Sequence, residues 1–123
     1  MNESMNTQLK RGTLDVILLS LIGEHGCTYG YSILDKMSEL GGEFFENPKP
    51  GTVYPVLYRL EKEGYIEVTG SDRQGGPTRK IYQVTDKGRE KLKNDVDNLI
   101  EYQKVMATIL GDHYVQRIIQ KRN

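Results

Sequence analysis

Apolar residues in the first third of the chain fall at Leu14, Ile17, Leu18, Leu21 and Ile22, the spacing of one broad helical face. Val16 and Leu19 lie off that stripe, so LKRGTLDVILLSLIGEHG predicts a helix that is apolar on two sides, with two packing partners and an end at Gly26. Thr28 is the expected N-cap of a second helix, YGYSILDKMSEL, with Ile33, Leu34, Met37 and Leu40 on one face and Gly41–Gly42 as its stop. EFFENPKPG reads as a loop. Pro50 suits the first turn of a third helix, where an amide hydrogen would have no partner anyway. That helix, PGTVYPVLYRLEKEG, turns Val53, Leu57 and Leu60 inward and closes at Gly64. Pro55 is close enough to its start to be tolerated.

The period then changes from 3.6 to 2. YIEVT alternates with Ile66 and Val68 on one face, GSDRQGGPT is dense in turn residues, and RKIYQVT alternates again with Tyr82 and Val84 inward. These are the strands and tip of a β-hairpin. Thr85 and Asp86 then open a last, long helix. Along it Leu92, Val96, Leu99, Gln103, Met106 and Leu110 recur at steps of four and three, a heptad-like seam widened by Ile100 and Ala107. A helix of about 25 residues spans roughly 37 Å, more than a small domain covers, so the seam asks for the same helix of a second subunit. Leu14 and Leu18 of the doubly apolar first helix are expected to close over it. Gly111–Asp112 breaks the run, and HYVQRIIQ follows as a short helix or tail. The order helix–helix–helix–strand–loop–strand is a winged helix-turn-helix. The expected fold is α+β, mainly α, with residues 1–88 as the winged domain and 89–123 as a C-terminal dimerisation helix and tail.

Composition narrows the chemistry. Lys+Arg and Asp+Glu both number 17, so no global field draws the protein to nucleic acid or membrane, and any attraction is local. A single cysteine, Cys27, excludes an internal disulfide and a multi-thiolate zinc site. His25 and His113 are far apart, no second Cys/His pair stands at ligand spacing, and no Gly-x-Ser-x-Gly or phosphate-loop motif occurs. The expectation is a protein that is not an enzyme and carries no metal and no cofactor. The opening MNESMNTQLKRG has no apolar leader core, and the longest apolar run, Val16–Leu19, is too short to span a bilayer. A cytoplasmic location without membrane partners follows as an expectation.

Nucleic acid fits better. Opposite the Val53–Leu57–Leu60 stripe the third helix carries Gly51, Pro55, Tyr58, Arg59 and Lys62, with Thr52 and Tyr54 flanking that face. In a helix-turn-helix the N-terminal part of this helix offers base contacts in the major groove, and Lys49 with the helix start can take phosphate. Large aromatics beside a wet face usually have something to touch. The hairpin adds Arg73, Arg79 and Lys80 around Gly75–Gly76–Pro77, suited to phosphate or minor-groove contact. Residues 1–88 are nevertheless net −2 and residues 89–123 net +2. The acids, Glu39, Glu43, Glu46, Glu61, Glu63 and Glu67 among them, are therefore expected mainly on the far side. A single such unit binds DNA weakly, which again favours a dimer.

Across nearly its whole length the chain resembles the PadR family of bacterial transcriptional regulators. The resemblance rests on LKRGTLDVILLSLI, YGYSI, GTVYPVLYRLEKEGYIE and GGPTRKIYQVTDKGREKL, and the short C-terminal part is similar to the subfamily with one long dimerisation helix. It implies a homodimeric repressor on a near-palindromic operator, with the helix matching Pro50–Gly64 in the major groove, Arg73–Lys80 as the wing, and Tyr54 on the DNA backbone. It also implies a candidate effector, phenolic or planar and cationic. In drug-binding members a Trp of each last helix lines a central pore. Leu99 takes that place here and the chain has no Trp. The dimer centre, lined by Val96, Leu99, Ile100 and Gln103, would then suit a small hydrophobic compound or be packed shut.

The leading expectation is thus a dimeric DNA-binding repressor. A sensing dimer whose output is DNA release and a winged helix that binds protein stand as alternatives. An open pocket between the last helices would favour the former, and an acid-covered recognition face the latter.

Overall fold

Helix α1 covers Met5–Gly23, and the Ser4 hydroxyl caps it by accepting the Thr7 amide at 3.2 Å. The computed structural model describes residues 4–45, 48–72 and 79–122. The cap draws the helix start N-terminal of the expected Leu9. Its end is Gly23 rather than Gly26. Gly26 is still the residue that reverses the chain, at φ +69°, and it lets the Cys27 amide bond back to the Leu21 carbonyl at 3.0 Å. Both faces of α1 are used: Val16 and Leu19 are buried as well as Leu14, Leu18, Leu21 and Ile22.

Helix α2 spans Gly30–Gly41 and its N-cap is Tyr29, not Thr28. Ser32 accepts the Tyr29 amide through its hydroxyl at 3.2 Å, so the helix start is held from inside. Thr28 instead gives its carbonyl to the Tyr82 amide at 2.8 Å and ties the hairpin to this loop. Ile33 and Met37 are buried, whereas Leu40, placed inward by periodicity, is 57% exposed in the last turn before Gly42 turns the chain at φ +54°. A 3-10 turn, Gly42–Phe45, occupies part of the expected loop and sets Phe44 edge-on to Phe45.

Helix α3 runs over Pro50–Lys62 with Pro50 in its first turn, and Val53, Leu57 and Leu60 are buried. Gly64, at φ +87°, leads into strand β1, Ile66–Asp72, which pairs antiparallel with β2, Arg79–Val84. The register sets Ile66 opposite Val84 and Val68 opposite Tyr82, then skips Thr69 as a bulge so that Gly70 faces Ile81. Ile66, Tyr82 and Val84 reach the core. The hairpin tip, including Arg73 and Gly75–Gly76–Pro77, lies outside the described residues.

Thr85 then caps helix α4, Asp86–Leu110, by accepting the Gly88 amide at 3.0 Å, while its own proton goes to the Gly64 carbonyl at 2.6 Å. One hydroxyl thus joins the end of α3 to the start of α4. The core of this winged helix-turn-helix is aliphatic: Leu18, Leu19, Ile33, Leu57, Leu60 and Ile66 are essentially inaccessible, and no polar or charged described residue is buried with them.

The chain forms two compact units that meet within α4, between Leu92 and Lys93. The second holds the rest of α4 and helix α5, Asp112–Arg122, joined through Gly111 at φ +73°. Here Val96 (39%), Ile100 (47%) and Leu110 (49%) are exposed apolar residues, Gln103 is exposed, and Leu99 and Met106 are half-buried. Leu14, Leu18 and Leu92, expected at a subunit interface, are all buried within the single chain, Leu18 completely, and α1 packs on α2, α3 and the hairpin.

Candidate nucleic-acid interface

The buried stripe of α3 fixes which residues face out. With Val53, Leu57 and Leu60 in the core, Gly51, Thr52, Tyr54, Pro55, Tyr58 and Lys62 are all exposed, as is Lys49 at the N-cap. Pro55 has no amide hydrogen to give to the Gly51 carbonyl one turn earlier. The helix presents the Thr52 and Tyr54 hydroxyls near its N-terminus, with no side chain at Gly51.

Beside this face lies an open groove of about 610 Å³ between the start of α2, α3 and the base of the hairpin. Five tyrosines line it, Tyr29, Tyr31, Tyr54, Tyr58 and Tyr82, with Arg79 and Lys80 on the hairpin side. Of these, Tyr29, Tyr31 and Tyr82 were not among the sequence-derived candidates. Their local signal was the tandem Tyr29-Gly30-Tyr31 at a helix start, which periodicity alone does not weigh. The rings of Tyr29 and Tyr31 stack at 5.4 Å with 15° between their planes. The Arg79 guanidinium sits 5.1 Å from the Tyr31 ring centre. Tyr82 is mostly buried at the groove floor. That burial, and after it the negative charge of Glu61, pushes its phenol above the ordinary range.

The cations of the surface are not equivalent. Arg59 extends to Asp15 of α1 at 2.5 Å and to Glu63 at 3.1 Å, and the hydrogen bond it donates to Asp15 is the main cause of its raised pKa. Lys91 of α4 approaches the other Asp15 oxygen at 3.8 Å. Lys80 pairs with Glu61 at 3.5 Å. Glu61 and Glu63, expected on the far side with the other acids, thus lie beside the cations of α3 and the hairpin. Their proximity shows how a net-negative unit balances its charge locally. Among the described side chains no carboxylate pairs with Arg79, Lys49 or Lys62.

Among the described residues no group of three His, Cys, Asp or Glu side chains is placed to hold a metal, and no helix is long and apolar enough to cross a membrane. Cys27 is free and buried, and burial raises its thiol pKa, which makes it a core residue rather than a nucleophile.

Comparison with known proteins agrees with this geometry. Residues 18–94 match the transcriptional regulator PadR-like family. An uncharacterised protein of Lysinibacillus sphaericus is 34% identical over 102 residues, which cover 83% of this chain and 92% of that one. The crystal structure of a PadR-like transcriptional regulator from Bacillus cereus is 32% identical, with a TM-score of 0.70 over 84% of this chain and 96% of its own. The transcriptional activator GvpE1 of Halobacterium salinarum is 31% identical over 101 residues, 80% of this chain but 49% of the activator.

Proposed function

The chain belongs to the PadR-like family of DNA-binding transcriptional regulators, and from that premise we propose that it is a homodimeric repressor of a near-palindromic operator. The observation that carries the DNA-reading part is the exposed Gly51–Thr52–Tyr54–Pro55–Tyr58 face of α3 next to the tyrosine groove and Arg79. Thr52 and Pro55 read base edges. Lys49, Lys62, Tyr54, Tyr58, Arg79 and Lys80 hold the backbone on either side. Residues 1–88 do this work and residues 89–123 assemble the dimer. The exposed Val96, Ile100 and Leu110 on α4 support that assembly, since an apolar seam of this length is costly to leave in water.

Hydroxyl-radical footprinting on the DNA upstream of its own gene tests the reading. Protection of one DNA face in two dyad-related segments about 34–36 Å apart is the expected result, and protection without a dyad overturns the dimeric docking. Light scattering gives twice 14.1 kDa if the seam pairs. Leu99→Asp then yields monomer or unfolded chain, because it buries an unpaired charge.

Repression is the sign we propose, with a small hydrophobic or phenolic effector at the dimer centre releasing the DNA. The similarity to the activator of Halobacterium salinarum supports the opposite sign. A reporter fused to the operator decides: loss of the gene raises expression under repression and lowers it under activation.

A further inference from the structure

We infer that Tyr31 is a positioning residue for DNA binding, its ring holding the Arg79 guanidinium at the base of the wing where a backbone phosphate is met. The inference rests on the proposed reading of the wing as a DNA contact and names the residue that makes Arg79 effective there.

Tyr29 is the extended N-cap of α2 and Tyr31 lies in the first turn, so the two rings stand face to face at 5.4 Å. The pair forms a platform fixed at its root by the Ser32 hydroxyl, which accepts the Tyr29 amide. Arg79 is the first residue of β2, next to the hairpin tip, where a long side chain has many rotamers to lose on meeting DNA. Its guanidinium carbon lies 5.1 Å from the Tyr31 centroid, within cation–π range.

The kind of partner matters. Arg59 is held by Asp15 and Glu63, and Lys80 lies 3.5 Å from Glu61, so a carboxylate offsets part of the charge of each. A ring restrains the cation and leaves its charge and in-plane N–H donors for phosphate. Tyr31 itself is 47% exposed, so it is not there to fill the core.

The test uses the full chain and a short random-sequence duplex, with affinity followed as a function of salt. Tyr31→Leu weakens binding roughly three- to tenfold and lowers the salt slope by up to about 0.9, the share of one phosphate. Tyr31→Phe keeps both values at wild type. Arg79→Ala lowers the slope likewise, and adding Tyr31→Leu to it costs nothing further. Thermal melting shows whether Tyr31→Leu is folded, and Tyr31→Gln is the second ringless variant if it is not. Additive losses, an unchanged slope in the ringless variants, or a Tyr31→Phe protein as weak as Tyr31→Leu each overturn the inference while the wing contact stands. An Arg79→Ala protein that binds as wild type removes the wing contact itself, and the inference with it.

Discussion

The Tyr54 ring of α3 lies directly over Gly30, the first residue of α2, so closely that a Cβ at position 30 would stand 2.5 Å from both its Oη and its Cε1. Gly30 is buried beneath a tyrosine that is itself 41% exposed. The missing side chain lets the recognition helix press its aromatic residue onto the start of the helix before it, at the edge of the groove.

Gly30→Ala therefore separates binding from stability. The obstacle is the far end of a side chain that can swing into solvent, and alanine loses less backbone freedom on folding than glycine. Melting temperature holds or rises slightly. DNA affinity falls, roughly to the level of Tyr54→Ala, because the ring has left its seat. Equal affinity for wild type and Gly30→Ala in a gel-shift titration would detach Tyr54 from the backbone contact.

Arg59 looks in sequence like a DNA cation, but its charge is already spent on Asp15 and Glu63. Arg59→Ala leaves the salt slope of DNA binding near wild type. Its cost to stability is no more than about 1 kcal/mol, since the ion pairs are partly solvent-screened. Arg79→Ala lowers the slope by about 0.9. Salt titrations of the two variants side by side check the contrast.

Gly88 in the first turn of α4 faces backbone rather than a movable side chain. A Cβ there would collide with the Tyr65 carbonyl oxygen and come within 2.8 Å of a Val84 methyl. Gly88→Ala loses stability by about 1–3 kcal/mol or more despite its better helix propensity. The opposite signs expected for Gly30→Ala and Gly88→Ala in thermal melts test whether these close approaches are as described.

Tyr82 gives the winged domain an alkaline limit. Its phenol is raised above the ordinary value of about 10, mainly by burial and then by Glu61 and Tyr54. The native state holds the proton more tightly than the unfolded chain. The stability linked to it is fully present below about pH 10 and is lost as pH rises through the folded value. Tyr82→Phe has no proton to lose, so its stability falls less steeply in that range when urea midpoints are compared across pH.

Much of this was legible because it is local. Thr85 announces a helix start since a cap needs only its own hydroxyl and an amide three residues on, and the structure has that bond. Val53, Leu57 and Leu60 announce the inner face of α3 because helical periodicity alone decides which side is apolar, and the exposed face follows by exclusion. The alternation around Ile66 and Tyr82 gave the hairpin for the same reason.

Where the sequence left the outcome open, the deciding partner was distant along the chain. Leu18 has the pattern of an interface residue, but whether an apolar face meets its own domain or a second subunit depends on packing among α1, α2 and α3. Thr28 is a better capping residue than Tyr29 by composition, yet the hairpin claims its carbonyl and Ser32 holds the helix start instead. Charge shows the point most sharply. Arg59, Arg79 and Lys80 are alike as letters, and only tertiary structure sets Asp15 against the first, a tyrosine ring against the second and Glu61 against the third. Chain periodicity carries the choice of elements because backbone hydrogen bonding and burial repeat at short range. What each cation has left to offer DNA depends on contacts at a few ångströms between residues the chain keeps far apart, and folding alone brings those together.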